Sequence, residues 1–156
     1  MVDIVDTLTR SMMMSRVKWK DTRQEVEIRR RLFALGFRYR LHDRKLPGKP
    51  DIVLPRYKAV IFLHGCFWHV HDCPLFRWPA SRKSFWKKKL NRNRENDQVH
   101  IESLKSLGWR TLIIWECAYR APGKNRDVEL DRIAVKAAQW LRTGSNYHEI
   151  RGANVR

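Results

Sequence analysis

The chain has 156 residues, with 33 Lys and Arg against 16 Asp and Glu and a formal net charge of +17. Hydrophobic residues make up 43% and seven are tryptophan, which excludes a disordered basic tail and fits one folded domain facing a polyanion. No apolar run reaches the roughly 18 residues of a membrane-spanning helix, and a start that is acidic at Asp3 is a poor secretory signal, so a cytoplasmic protein is expected.

Residues 1–20 show no amphipathic period and read as an arm, with Met12, Met13 and Met14 set among Arg10, Arg16, Lys18 and Lys20. Apolar tips on a basic arm suit local packing or a DNA groove. Thr22 and Glu25 have capping-box spacing, and Ile28, Leu32 and Leu35 follow at helical spacing before Gly36, which predicts a helix over 22–35. Residues 37–41 alternate apolar and basic, 46–50 form a turn, and 51–54 make a short apolar strand. The continuous apolar run 59–63 suits a strand buried on both faces. Residues 64–79 have no period. A long charged helix is predicted over 84–107, ending at Gly108, and a second buried strand over 109–115. A last helix over 128–141 places Leu130, Ile133, Ala134, Ala137, Trp140 and Leu141 on one face. The order α-β-β-β-α-β-α predicts a single α/β domain with a mixed central sheet flanked by helices: an arm at 1–20, the domain at 21–142 and a tail at 143–156.

The densest chemical signal is HGCFWHVHDC, from His64 to Cys73. Cys66, His71 and Cys73 have the spacing of half a zinc cage, and Cys117, just past the second buried strand, is placed to close it. An odd count of three cysteines, two of them among histidines, favours a reduced compartment and a metal over disulfides. A loop this poor in apolar contacts would gain its order from Zn²⁺. His64 and His69 remain outside the cage and are candidates for proton transfer, since histidine titrates near neutral pH. Asp51 follows Pro50 at the head of a short apolar strand, where a carboxylate is expensive unless it meets a positive partner. A divalent cation such as Mg²⁺ is a sensible one.

The segments LPGKPDIVL, AVIFLHGCFWHVHDC and WECA (115–118) together resemble the very-short-patch mismatch repair endonucleases, and the likeness covers nearly the whole chain. It implies a restriction-endonuclease-like fold of the PD-(D/E)xK type. It also implies a nick in double-stranded DNA 5′ to the thymine of a T·G mismatch, the lesion left when 5-methylcytosine deaminates. By the same resemblance Asp51 binds Mg²⁺ together with the carbonyl of residue 63. A threonine is known at that position in the family and Leu63 stands here, so only carbonyl ligation carries over. His69 matches the general base, His64 and Glu25 its supporting residues, and Cys66, His71, Cys73 and Cys117 the zinc ligands. The ExK half of the wider motif is absent, so no lysine is placed to activate water and histidine chemistry becomes more necessary.

The resemblance further implies that Phe67, Trp68 and Trp86 are wedges beside the mismatch, where unstacking costs least. Met14 and Val17 of the arm would enter from the opposite groove, while Trp109, Trp115 and Trp140 read as core. Arg82, Lys83, Lys87, Lys88, Lys89, Arg92 and Arg94 form a basic run with few compensating acids before Glu95, which reads as a phosphate-contacting face. A monomer is expected, with other mismatch-repair proteins as potential partners. Two further readings are a restriction-type nuclease that cuts both strands and a non-catalytic zinc module that only binds DNA. Asp51 and His69, present beyond the four zinc ligands, speak against the last.

Overall fold

The computed structural model describes residues 22–120 and 123–152; Met14, Val17 and the rest of the expected arm lie outside the described residues. Helix α1 (Arg23–Ala34) starts at the expected cap, where Thr22 Oγ1 accepts from the Glu25 N–H at 3.3 Å. Ile28 and Leu32, one turn apart, are fully buried. Leu35, expected as a third core position, is instead the C-cap and is 43% exposed. The chain leaves the helix there through Gly36 at φ +98°, a conformation that glycine adopts without strain.

Five strands form one sheet in the order β1 (Arg40–Leu41), β2 (Ile52–Leu54), β3 (Ala59–His64), β4 (Arg110–Trp115), β5 (Tyr147–Ile150). The first three run as antiparallel neighbours, joined by turns; β3–β4 and β4–β5 are parallel. Helices α2 (Lys83–Ser106) and α3 (Arg126–Thr143) make the two crossovers that parallel pairing requires. The expected mixed α/β architecture is therefore present. The strand β5 was not legible in the sequence: it is an edge strand in which only Ile150 is buried, so it carries no apolar run.

Alternation along the strands divides the core between two faces. Ile52, Leu54, Ile61, Leu112 and Ile114 pack with Ile28 and Leu32 of α1 and Leu130, Ile133 and Ala137 of α3. Val53, Val60, Phe62, Ile113 and Trp115 point the other way, onto Leu104 of α2. Cover on both faces is why β3 and β4 are apolar throughout rather than alternating. Of the three tryptophans read as core, Trp115 and Trp140 are buried, but Trp109 is only half-buried, with the Lys58 ammonium 4.5 Å above its ring. No helix among the described residues is long and apolar enough to cross a membrane.

Antiparallel pairing of β2 with β3 sets Ile52 opposite Ile61, which brings the residue before β2 to the C-terminal end of β3. Parallel pairing of β3 with β4 sets His64 opposite Trp115 at that same end. The sheet thus delivers Asp51, His64 and the turn after Trp115 to one edge. Its opposite end is tied by Arg110, whose guanidinium donates to the carbonyls of Tyr57 (3.2 Å), Trp140 (3.1 Å) and Leu141 (2.8 Å). The last two belong to the final turn of α3, where the Trp140 carbonyl also accepts from the Gly144 N–H, and a cation there meets the negative end of the helix dipole. Arg110→Ala is expected to destabilise the fold by about 2–3 kcal/mol, read as a lower urea midpoint with an unchanged slope. An unaltered midpoint would show that water replaces the guanidinium at those carbonyls.

Candidate active site and metal centre

Asp51 sits at the mouth of the β2–β3 pair, where its Oδ2 accepts from the Leu63 N–H at 2.8 Å. Burial pushes its carboxyl up from 3.8 to about 6; the Leu63 N–H pulls it down, and the nearby Glu25 carboxylate raises it further. Glu25 is itself buried in the first turn of α1, with Oε2 3.7 Å from His42 Nε2. Glu25, His42 and Asp51 each bring a ligand atom within 4.8 Å of the others. A concentration of buried carboxylate of this kind is stable only beside a positive partner.

At the same edge, near enough for His69 to act on the Asp51 carboxyl, lies an imidazole pair. His64, the last residue of β3, is buried, and desolvation holds its pKa well below the usual histidine range. Its ring stacks on that of His69 at 3.8 Å, 4° from parallel. His69 Nδ1 meets Asp97 Oδ2 of α2 at 2.5 Å. A carboxylate on Nδ1 fixes the proton there and leaves Nε2 as the basic nitrogen. Asn93, one helical turn before Asp97, donates to the Trp68 carbonyl at 3.1 Å, so α2 holds both the loop and the ring it carries. Sequence reasoning singled out Asp51, His64, His69 and Glu25; the structure sets His64 against His69, but Glu25, expected to support His69, groups with Asp51 and His42. It missed Asp97 and His42. Asp97 is one acid in a charged helix, and His42 is a lone histidine in a turn, so neither stood out locally.

Beside this site Cys66, His71, Cys73 and Cys117 place three Sγ and one imidazole nitrogen within 4.8 Å of one another. His71 Nδ1 lies 3.5 Å from Cys66 Sγ and 3.6 Å from Cys117 Sγ. Tetrahedral zinc, with bonds of about 2.3 Å to sulfur and about 2.0 Å to nitrogen, sets its donors roughly 3.5–3.8 Å apart. The donor set and its spacing fit a structural Cys₃His zinc site. Interaction with the Cys66 thiol lowers Cys117 and raises Cys66, as expected of sulfurs packed this closely. The Gly152 N–H also donates to Cys117 Sγ, at 3.4 Å, and a Cβ on Gly152 would stand 2.7 Å from the Cys117 carbonyl oxygen. Trp115 joins the two centres: its ring stacks on His71 at 3.9 Å and meets His64 edge-on at 5.4 Å. Its indole N–H donates to Glu149 of β5 at 2.9 Å.

The three expected wedge aromatics come together. Phe67 lies 5.2 Å from Trp68 and 5.4 Å from Trp86, and Trp68 lies 6.1 Å from Trp86, all in edge or tilted contact and half-buried. Three more rings that the sequence did not single out extend the cluster. Phe76 packs on Phe67, Trp78 meets Phe76 edge-on at 5.0 Å, and Phe85 meets Trp86 at 5.3 Å. Trp78 and Phe85 are both 43% exposed. Arg82, Lys83, Lys87, Lys88, Lys89, Arg92 and Arg94 are exposed at the start of α2, with the Arg82 guanidinium 4.2 Å above the Phe85 ring. A cationic helix end therefore adjoins an aromatic surface, the pairing that binds phosphate and stacks bases.

Comparison with known proteins gives concordant matches. The family model for the DNA mismatch endonuclease Vsr matches residues 2–75. The DNA mismatch endonuclease Vsr of Escherichia coli is 42% identical over 141 residues, which cover 90% of this chain and 88% of that protein. The Type II nicking enzyme V.NmeAIP of Neisseria meningitidis is 44% identical over 117 residues, covering 75% of this chain and 84% of its own length. The Type II nicking enzyme V.XorIIP of Xanthomonas oryzae pv. oryzae is 42% identical over 117 residues, with coverage of 75% and 86%.

Two outcomes are expected. Cys117→Ser should lower zinc content, read by elemental analysis of the purified chain, and raise protease sensitivity in the loop after β3; full occupancy would remove Cys117 from the cage. A carboxyl held at about 6 instead of 3.8 disfavours the folded, ionised protein by about 3 kcal/mol near neutral pH. The fold is thus penalised as pH rises from about 4 through 6. Asp51→Asn should raise the urea midpoint at pH 7.5 without added divalent cation, with a smaller gain at pH 5. No gain at pH 7.5 would show that the carboxylate is already compensated.

Proposed function

The chain belongs to the Vsr family of DNA mismatch endonucleases, and from that premise we propose that it nicks duplex DNA 5′ to the thymine of a T·G mismatch by Mg²⁺-dependent hydrolysis. The observation that carries this reading is the meeting of Asp51 with the His64–His69–Asp97 system at one sheet edge, beside an aromatic cluster and a cationic helix end. Names of relatives as nicking enzymes support a single-strand cut over a double-strand break. The restriction-type reading is therefore the second one.

In this mechanism Asp51 and the Leu63 carbonyl are the groups that would hold the divalent ion. Bound there, Mg²⁺ supplies Lewis-acid polarisation of the phosphodiester and offsets charge on the leaving oxygen. His69 Nε2 takes a proton from the attacking water, while Asp97 fixes the ring through Nδ1 and steadies the imidazolium that forms. His64 backs the ring by stacking and, being buried and neutral, adds no competing charge. Glu25, buried beside His42 and Asp51, concentrates negative charge at the cation site. Phe67, Trp68 and Trp86 enter the stack where the mismatch makes opening cheapest, a few kcal/mol per step. Arg82, Lys83, Lys87 and Lys88 bind backbone phosphate without reading sequence. Met14 and Val17 approach from the far groove. Cys66, His71, Cys73 and Cys117 hold Zn²⁺ and so fix the loop on which His69 rides.

The decisive assay uses end-labelled T·G, T·A and C·G duplexes of one sequence. A nick confined to the thymine strand of the T·G duplex is expected; equal cutting of matched DNA, or cuts in both strands, would sink the reading in favour of a restriction-type nuclease. Asp51→Ala should abolish nicking. His69→Ala should lower the single-turnover rate by about 10²- to 10⁴-fold. Asp97→Asn should cost less than that and shift the pH profile, because an amide no longer stabilises the imidazolium. An Asp97→Asn rate and profile equal to wild type would separate Asp97 from proton transfer.

A further inference from the structure

We propose that His42 is a nitrogen ligand of the active-site cation, and that it makes the site bind borderline divalent ions such as Mn²⁺ or Co²⁺ more tightly than the Mg²⁺ with which nicking is proposed to run. The inference rests on the placement of the cation at Asp51 and adds to it the identity of the ion. Three elements converge there: Glu25 from the first turn of α1, His42 from the chain just after β1, and Asp51 from the chain just before β2. The β1–β2 register, with Leu41 opposite Ile52, makes His42 the cross-strand neighbour of Asp51, and the His42 N–H donates to the Asp51 carbonyl at 3.4 Å. The two side chains are therefore held together by backbone pairing. With Glu25 they offer two carboxylates and one imidazole, one ligand atom from each lying within 4.8 Å of the others.

The donor set decides between ions. Mg²⁺ is small and hard, takes oxygen ligands in near-ideal octahedral geometry and gains little from an imidazole. Mn²⁺ and Co²⁺ accept mixed oxygen and nitrogen sets, and their affinity rises when imidazole joins carboxylate. A Glu–His–Asp set also leaves coordination positions for water and for phosphate oxygens. His69, turned to Asp97 through Nδ1, remains outside this set for proton transfer, so each imidazole has one task.

The test uses the zinc-loaded full chain without DNA and His42→Asn, because asparagine tolerates the left-handed backbone that His42 adopts at φ 50°. Mn²⁺ binding is read from the free-ion EPR signal, and Mg²⁺ binding by competition with it. Wild type should bind Mn²⁺ about tenfold or more tighter than Mg²⁺, and His42→Asn should remove most of that ratio by weakening Mn²⁺ alone. Pulsed EPR of the Mn²⁺-loaded wild type should show nitrogen coupling that the variant lacks. A ratio unchanged by the substitution, an equal loss for both ions, or nitrogen coupling that persists in His42→Asn would overturn the proposal. Asp51→Asn separates the two levels. If it spares both ions, the cation is not at Asp51 and the underlying reading fails. If it abolishes both while His42→Asn changes nothing, only the role of His42 fails.

Discussion

Parallel pairing of β3 with β4, in register from Ala59 opposite Arg110 to His64 opposite Trp115, is the constraint on which the rest of the molecule depends. Both strands are covered by helices on each face, so neither can slip by one residue without turning its buried set toward the wrong layer. Their C-terminal ends are consequently fixed side by side. His64 ends one strand and Trp115 the other, and the loops that follow carry the metal cluster. In open α/β sheets the carboxyl ends of parallel strands are where ligands bind, because that edge is where loops diverge and leave a crevice. Here the antiparallel β2 adds Asp51 to the same edge from the opposite chain direction.

The Cys/His cluster and the imidazole pair share a wall. Trp115 stacks on His71 of the Cys/His cluster and borders His64 of the imidazole pair, so order in one is felt at the other. The thiol-rich set suits a closed, structural zinc. The oxygen-rich set around Asp51 suits a hard or borderline cation with open positions. Softness of the donors would sort a soft-seeking ion from a hard or borderline one across a few side chains. The loop between His64 and Cys73 contributes to the thiol-rich set and to the imidazole pair, which explains why ten residues carry so much of the chemistry.

The charge of +17 acquires a narrower meaning in this setting. It supplies attraction to any nucleic acid, and it falls steeply with salt. Choice of site must come from groups that sense the stack, and the aromatic cluster of Phe67, Trp68 and Trp86 stands beside the cationic end of α2. In the proposed reading, affinity and selectivity would reside on adjoining but distinct surfaces.

Much of this was legible in the sequence because it is local. Periodicity marked the three helices and the two buried strands, capping at Thr22 gave the first start, and ligand spacing from Cys66 to Cys73 announced the cluster. Asp51 and His69 stood out as candidates because the motifs that hold them are contiguous in the chain. What the sequence could not supply depends on contacts between distant segments. Asp97 reaches His69 across 28 residues, and it is one acid in a charged helix until the fold turns it inward. His42 becomes the neighbour of Asp51 only through the β1–β2 register. Strand β5 lacks an apolar run because one edge needs only Ile150 buried. The sequence by itself determined the class of fold, the basic surface and the ligand types, since composition and spacing carry them. The tertiary structure alone decided which carboxylate orients which imidazole, because that choice is made by strand register and helix docking, which no single segment encodes.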